Sequence, residues 1–251
     1  MNKKQHKEWC ELLREDKYYY GDFGQKFLSY SKIGTLLTNP NKFNETTEKN
    51  VNMLIGGYLH TVILEPEKVK NFKIIDASTR NNKSYKEISG GELCLLQHEA
   101  DKVELLRDVM MSNDVCKDLI HGTGKNSKNI IYEEPGIGEI NGNLWKGKAD
   151  ILNKNEKLII DIKTTSDIEG FKYSARKFNY DAQAYIYRIL FGYDMMFLAI
   201  DKTTYKIGIF ECSEDFYKFG EDKVLKATDM YNLFYKTEGF DPSQYFETKT
   251  L

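Results

Sequence analysis

The chain is expected to fold as an α/β protein in which a mixed central sheet is flanked by helices. Three observations carry that expectation. Short runs with two-residue alternation, above all residues 144–152 and 157–163, read as strands, and longer runs with apolar residues three and four apart read as helices. The two kinds interleave along the chain. Nothing between Lys49 and Lys236 has the composition of a flexible linker, so the 251 residues are expected to form one main domain, 28–240, with an N-terminal extension, 1–27, and a C-terminal tail, 241–251.

Residues 1–27 mix polar and aromatic side chains, and a short amphipathic helix fits 7–15. The run Tyr18, Tyr19, Tyr20 suits packing or a base-stacking platform. Residues 28–37 read as a helix opened by serines and closed by Pro40. Hydroxyls and free N–H groups at a helix start suit a phosphate, so Ser29, Ser31 and Lys32 are candidate phosphate holders beside the plain reading of an N-cap. Thr46 to Lys49 opens a helix through Leu64, with Met53, Leu54, Tyr58 and Val62 at apolar positions. Gly56 and Gly57 permit close approach of a backbone. His60, among apolar neighbours, suits a satisfied core residue or, as a neutral imidazole, a metal ligand or the group that orients its water.

A strand is expected over 69–75, a polar, mobile loop over 76–88, and one helix over 89–120, its charges a solvated face and His98 and His121 structural or surface residues. Residues 129–134 form a strand, and Asn141-Gly142 turns the chain back into Leu144. Glu133 or Glu134 is a candidate for a further carboxylate. The hairpin that follows, 144–152 and 157–163 around a polar turn at 153–156, completes a three-stranded meander. With the turn centred between Lys154 and Asn155, Asp150 stands across from Ile159 and Asp161 from Lys148. The two carboxylates then share a face at a diagonal of roughly 5.5–8 Å, a gap one divalent ion can bridge. A one-residue slip would separate them. In Asp161-Ile162-Lys163 the two charges share a face and Ile162 points into the core.

Residues 171–177 carry Lys172, Arg176 and Lys177, a basic patch that suits a phosphate backbone or simply solvent. A helix over 180–191 places Gln183 and Tyr187 on one face. A second hairpin covers 195–200 and 205–212. A long amphipathic helix, 213–236, starts at Ser213 with Asp215 nearby, and 241–251 read as an extended tail or subunit arm.

Composition narrows the function classes. A net charge of −2 and a pI near 6.2 argue against indiscriminate coating of nucleic acid, so a DNA enzyme of this composition must concentrate its lysines in one channel. The four cysteines, Cys10, Cys94, Cys116 and Cys212, are far apart, which disfavours a disulfide framework, a zinc site or a cluster and fits reduced thiols. No apolar leader follows Met1 and no long apolar run occurs, so no membrane association and a cytoplasmic location are expected.

Four motifs occur in an order that resembles one family. Gly56-x-x-x-His60 with Leu64-Glu65-Pro66-Glu67 behind it, Gly147-Lys-Ala-Asp150, Ile159-Ile-Asp161-Ile-Lys163, and Gln183-x-x-x-Tyr187 are similar to the motifs of the PD-(D/E)XK nuclease superfamily, in its RecB/RecE-like branch. A weaker likeness reaches back to Ser29-x-Ser31, with Ile33 where the family has Leu. The resemblance implies a PD-(D/E)XK, restriction-endonuclease-like core in which Asp150, Asp161 and the carbonyl of Ile162 hold Mg²⁺, with Mn²⁺ as a substitute. His60 would be a further ligand or its neighbour, Glu133 an added carboxylate, and Lys163 the group that orients the water and stabilises charge on the phosphate.

Gln183 and Tyr187 would face the carboxylates and position DNA. Ser29, Ser31 and Lys32 would hold the backbone or a strand end, with Lys172 and Arg176 as further contacts. The activity implied is a 5′ to 3′ exonuclease of phage recombination type, acting on double-stranded DNA ends and releasing 5′-phosphorylated nucleotides. Such enzymes form homo-oligomeric rings and work with a single-strand annealing recombinase in the host cytoplasm. Three rivals stand beside it: a structure-specific or nicking endonuclease on the same core, a catalytically inactive DNA-binding accessory protein, and a small-molecule enzyme or structural protein with an accidental D-x-K hairpin. The intact Asp150, Asp161 and Lys163 disfavour the inactive accessory.

Overall fold

In the computed structural model, which describes residues 1–46, 48–246 and 248, the chain begins with α1 (Lys3–Leu13) and α2 (Asp16–Tyr19). These are followed by a two-residue strand, β1 (Leu28–Ser29), and a short helix, α3 (Ile33–Thr38), where one helix over 28–37 was expected. Helix α4 (Val51–Leu64) starts later than its threonines suggest, because Asn50 accepts from the Met53 N–H at 3.0 Å and supplies the cap. Thr47, in the expected opening run, lies outside the described residues.

Strands β2 (Ile74–Ile75) and β3 (Leu95–Leu96) pair in a small parallel ladder around α5 (Lys83–Ser89), which occupies part of the expected loop. The single helix expected over 89–120 is broken into α6 (Gln97–Ser112) and α7 (Asp114–His121). Asn113 makes the break, its side chain accepting from Cys116 N–H at 3.0 Å to cap α7.

The main sheet is built from β1 together with β4 (Ile130–Ile140), β5 (Asn143–Asn153), β6 (Leu158–Thr165), β7 (Asp194–Asp201) and β8 (Ile207–Glu211). Between β6 and β7 the chain crosses through α8 (Phe171–Lys177) and α9 (Tyr180–Phe191), so these two strands run parallel and the sheet is mixed. The long helix α10 (Glu214–Lys236) is capped by Ser213 as its sequence indicates, the hydroxyl accepting from Phe216 N–H at 3.2 Å. Beyond it, Tyr245 folds back with its ring 5.1 Å from that of Phe234, so this part of the tail is not extended. Glu247 and residues 249–251 of the tail lie outside the described residues.

Strand β4 runs on through Pro135, whose missing N–H an edge strand tolerates. It pairs with β5 over the whole length of β5. The other edge of β5 is divided. β6 pairs there only at Ile151, Leu152 and Asn153, and β1 only at Trp145 and Lys146. Residues 147–150 are thus left without a strand partner on that edge, and the sheet opens into a fork.

Both faces of the sheet are covered. Ile159, Phe197 and Ala199 pack in the core under α3, α9 and α10, whereas Ile160, Ile162, Leu198 and Ile200 pack in the core under α4, α6 and α7. Central strands buried on both sides read as near-continuous apolar runs, as β6 and β7 do. The face that Asp161 and Lys163 share lies beneath α9, with Asp161 only 1% exposed. Residues 1–27 pack on the β4–β5 hairpin through Leu13, Tyr19 and Phe27, which join Ile137 in a third core.

Candidate active site

The fork gathers the charged residues. The β5–β6 register stops at Ile151↔Ile160, and one step further brings Asp150 opposite Asp161. The sequence spacing placed them at a diagonal, two residues out of register. A shift by two preserves the face, so the two aspartates still converge. At this step the strands part, and the Asp150 carboxylate fills the gap, its Oδ2 accepting from Ile162 N–H at 2.8 Å.

His60 reaches the fork from α4. Its Nδ1 lies 3.2 Å from Asp150 Oδ2 and its Nε2 lies 2.7 Å from the Ile162 carbonyl oxygen. Burial pulls the imidazole towards neutrality, but the Asp150 carboxylate outweighs it and raises the pKa to about 9. Without a metal this favours the protonated ring, whose two N–H groups would point at Asp150 and the Ile162 carbonyl. The Ile162 carbonyl, expected as a ligand, thus has His60 as its neighbour here.

Glu133 stands across from Asp150, between the pairs Tyr132↔Ile151 and Glu134↔Ala149, with φ of 50°. Burial, reinforced by Asp150, pushes its carboxyl up to about 8. Glu134 instead pairs with Arg14 at 2.5 Å, which settles which of the two glutamates faces the site. Ligand atoms of His60, Glu133 and Asp150 all lie within 4.8 Å of one another.

On the opposite arm, Asp161 Oδ1 accepts from Gln183 Nε2 at 2.5 Å and Oδ2 lies 2.5 Å from Lys163 Nζ. That ammonium neutralises Oδ2 without donating a directed hydrogen bond, and the oxygen is buried without one, as is Gln183 Oε1. Burial and the neighbouring Asp150 raise the Asp161 carboxyl to about 6. For Asp150, burial raises the pKa, but the His60 imidazolium outweighs it and holds the carboxyl below its usual value. Lys163 sits 4.8 Å from the centroid of the Tyr180 ring. Burial would lower its pKa, yet Asp161 carries it above the ordinary lysine value.

Carboxylate oxygens from three strands make a hard-donor set that fits a divalent cation, with the His60 imidazole able to join it on losing its proton. The raised pKa values of Glu133 and Asp161 mark crowded, buried carboxyls whose repulsion a divalent cation would relieve. Glu133, Asp150 and His60 have ligand atoms close enough to share one ion, and Asp161 stands opposite Asp150 at the same opening.

Other expected site residues take different places. Tyr187 is buried, and its hydroxyl donates to the Lys148 carbonyl at 3.0 Å and accepts from the Lys148 N–H at 3.3 Å. It therefore stands in for the strand that β5 lacks along the fork and touches neither aspartate through these bonds. Lys32 donates to the Phe43 and Glu45 carbonyls at 2.7 and 3.0 Å, so its ammonium is engaged by the main chain rather than offered to a phosphate. Ser29 and Ser31 share a hydrogen bond of 3.0 Å and, with Tyr30, Tyr187 and Lys146, line a cavity of about 650 Å³ beside the fork. Lys172 and Arg176 are exposed on α8.

Several neighbours had no motif to reveal them. Lys148 is buried and pairs with Asp16 at 2.8 Å. The Lys146 ammonium contacts the Tyr19 carbonyl and lies 4.1 Å from the Tyr19 ring centroid. Burial, aided by Lys148, pushes Lys146 down to about 8. The only trace of these contacts in the sequence is the tyrosine run itself.

Comparison with known proteins bears on the fold and the family. No curated protein matches the chain. Among solved structures, a protein from Eubacterium rectale whose exonuclease name is provisional superposes with a TM-score of 0.62 at 15% identity, over 94% of this chain and 95% of that one. A phage-related exonuclease from Haemophilus somnus is more distant, with a TM-score of 0.34 at 15% identity over 73% of this chain and 97% of that one. The first likeness shows the fold. The model of the family described as "PDDEXK-like domain of unknown function (DUF3799)" matches residues 35–244, most of the chain and all the charged residues of the fork, and on that match the protein belongs to this PDDEXK-like family.

Proposed function

We propose that this protein is a metal-dependent deoxyribonuclease that degrades duplex DNA from its 5′ ends. The observation that carries the reading is the β5–β6 fork, where Asp150, Asp161 and Glu133 converge beside a buried lysine. A divalent ion such as Mg²⁺ or Mn²⁺ would supply polarisation of the scissile phosphate and a lowered pKa for the attacking water. The chain's own groups do the rest. Lys163, kept charged by Asp161, offers its ammonium to the oxygens on which charge builds as the P–O bond breaks. Gln183 fixes one oxygen of Asp161 and Ile162 N–H fixes one of Asp150, so the carboxylates are held before substrate arrives. Neither a serine nor a cysteine nucleophile is required, because water attacks phosphorus directly and the 3′ oxygen leaves. The expected products are 5′-phosphorylated nucleotides. A role in recombination, with a strand-annealing partner and a ring-shaped oligomer, extends the same reading.

The test is digestion of linear and covalently closed duplex DNA with Mg²⁺, with separate 5′ and 3′ end labels. Early release of the 5′ label from linear DNA alone is expected. Cutting of the closed circle would replace this reading with the endonuclease, and release of the 3′ label first would reverse the polarity.

A further inference from the structure

The outward face of α8 carries chemistry that the fork does not use. Lys172, Tyr173, Arg176 and Lys177 fall within one side of the helix, while Phe171 and Ala175 face the core. Tyr173 is 69% exposed and Phe178, at the end of the helix, 53%. One exposed ring would be ordinary, but two on one short helix, interleaved with cations, form a contiguous patch. Each basic group lies by a ring, Lys172 at 5.0 Å from the Tyr173 centroid, Lys177 at 5.8 Å from Phe178 and Arg176 at 4.9 Å from Phe219. None of the three basic groups is in an ion pair among the described residues. On a chain of net charge −2, three unpaired cations interleaved with rings form a distinct local surface.

Two further features link this face to the fork. Phe178 lies 6.1 Å from Tyr180, whose ring in turn lies 4.8 Å from the Lys163 ammonium, so a line of rings runs from the surface to the site. Asn179, between them, has φ of 58°, and Tyr30 donates to the Phe178 carbonyl at 2.7 Å, which together hold Phe178 outward. Beneath the helix is a cavity of about 370 Å³ lined by Phe171, Phe197, Phe210 and Phe216, with Lys172 and Arg176 among its lining and Glu211 also present.

We propose that the outward face of α8 is a binding track for single-stranded DNA, with bases stacked on Tyr173 and Phe178 and phosphates held by Lys172, Arg176 and Lys177. Alternating rings and cations are the means by which proteins grip unpaired strands, since every base offers a π-face and every nucleotide a phosphate. A duplex conceals its base faces and would gain only the charge contacts. The track deepens the nuclease reading and rests on it only for its purpose: it names a single-stranded region of the substrate, next to the strand being cut, as what this surface holds.

Fluorescence anisotropy with a labelled short oligothymidylate and a duplex of the same length, both in EDTA, tests the track without cleavage. Tyr173→Ala and Phe178→Ala are each expected to weaken single-strand binding by about tenfold and to leave duplex binding within twofold. Tyr173→Trp should bind like wild type and lose indole fluorescence as the strand is added. Single-strand affinity unchanged in Tyr173→Ala, whose exposed ring makes misfolding an unconvincing cause, would overturn the proposal. Equal losses for duplex, or a wild type that binds no single strand, would do the same. Cleavage with Mg²⁺ is read in parallel: a wild type that grips the single strand through these rings but cuts nothing removes the nuclease reading and leaves the track, whereas one that cuts while both alanine variants bind normally removes only the track.

Discussion

At the residue scale, the fork is a set of acids and bases whose charges are held in place before any cation enters. Lys163→Ala removes the one ammonium beside Asp161 and is expected to lower cleavage by about 100- to 1,000-fold, the usual loss when a transition-state donor is removed. Asp161→Asn should lose activity to background while keeping the Gln183 contact, and far-ultraviolet circular dichroism should show both variants folded. The raised pKa values predict a pH dependence with a definite sign. His60 has a folded value of about 9 against an ordinary 6.5, so its contribution is fully present below 6.5 and is lost as pH rises through 9. Glu133, at about 8 against 4.5, retains a proton in the folded state and adds a loss of the same sign between those values. Metal-free stability should therefore fall between pH 6.5 and 9, measured by calorimetry in EDTA. Added Mg²⁺ should stabilise most at the alkaline end, because binding must release those protons.

At the level of elements, α9 supports the edge of β5 that no strand covers. Tyr187→Phe leaves the Lys148 N–H and carbonyl unpaired in a buried place and should cost about 1–3 kcal/mol in a urea titration. Gly147 explains why α9 can come so close: a Cβ there would lie 2.6 Å from Tyr187 Cε1 and 3.0 Å from Leu190 Cδ1. Gly147→Ala should therefore push α9 outward, cost about 1–3 kcal/mol and reduce turnover as Gln183 is displaced from Asp161.

The legibility of the elements follows from the range of the forces that set them. Strand alternation is local, so the shared face of Asp150 and Asp161 was readable, as was the Ser213 cap. The two-residue offset in register was not, because it is set by the Asn153 side chain, which accepts from Asn155 and Glu156 N–H at 3.1 Å and tightens the turn. The break at Asn113 carried a local signal, an asparagine ahead of Asp114, that the apolar periodicity overrode. The pairing of β1 with β5, and with it the upper jaw of the fork, is long-range and left no local trace. Nor could spacing tell that Lys32 turns back to the Phe43 carbonyl or that His60 bridges Asp150 and Ile162.

For the molecule as a whole, the N-terminal 27 residues pack as part of the core that shapes the site. Leu13 is fully buried, and Asp16 is the counter-ion of Lys148. Leu13→Ala should cost about 2–5 kcal/mol, a fall in Tm of roughly 4–20 °C at the two to four degrees per kcal/mol usual for this size. Among the described residues no helix is long and apolar enough to cross a membrane. Nuclease activity in this fold would depend on a metal bound in the opening between β5 and β6. Crystals grown with Mn²⁺ and measured at its absorption edge would locate it. An anomalous peak is expected within bonding distance of the carboxylates of Asp150 and Asp161. No peak there at saturating Mn²⁺, with His60 still bridging Asp150 and the Ile162 carbonyl, would contradict it.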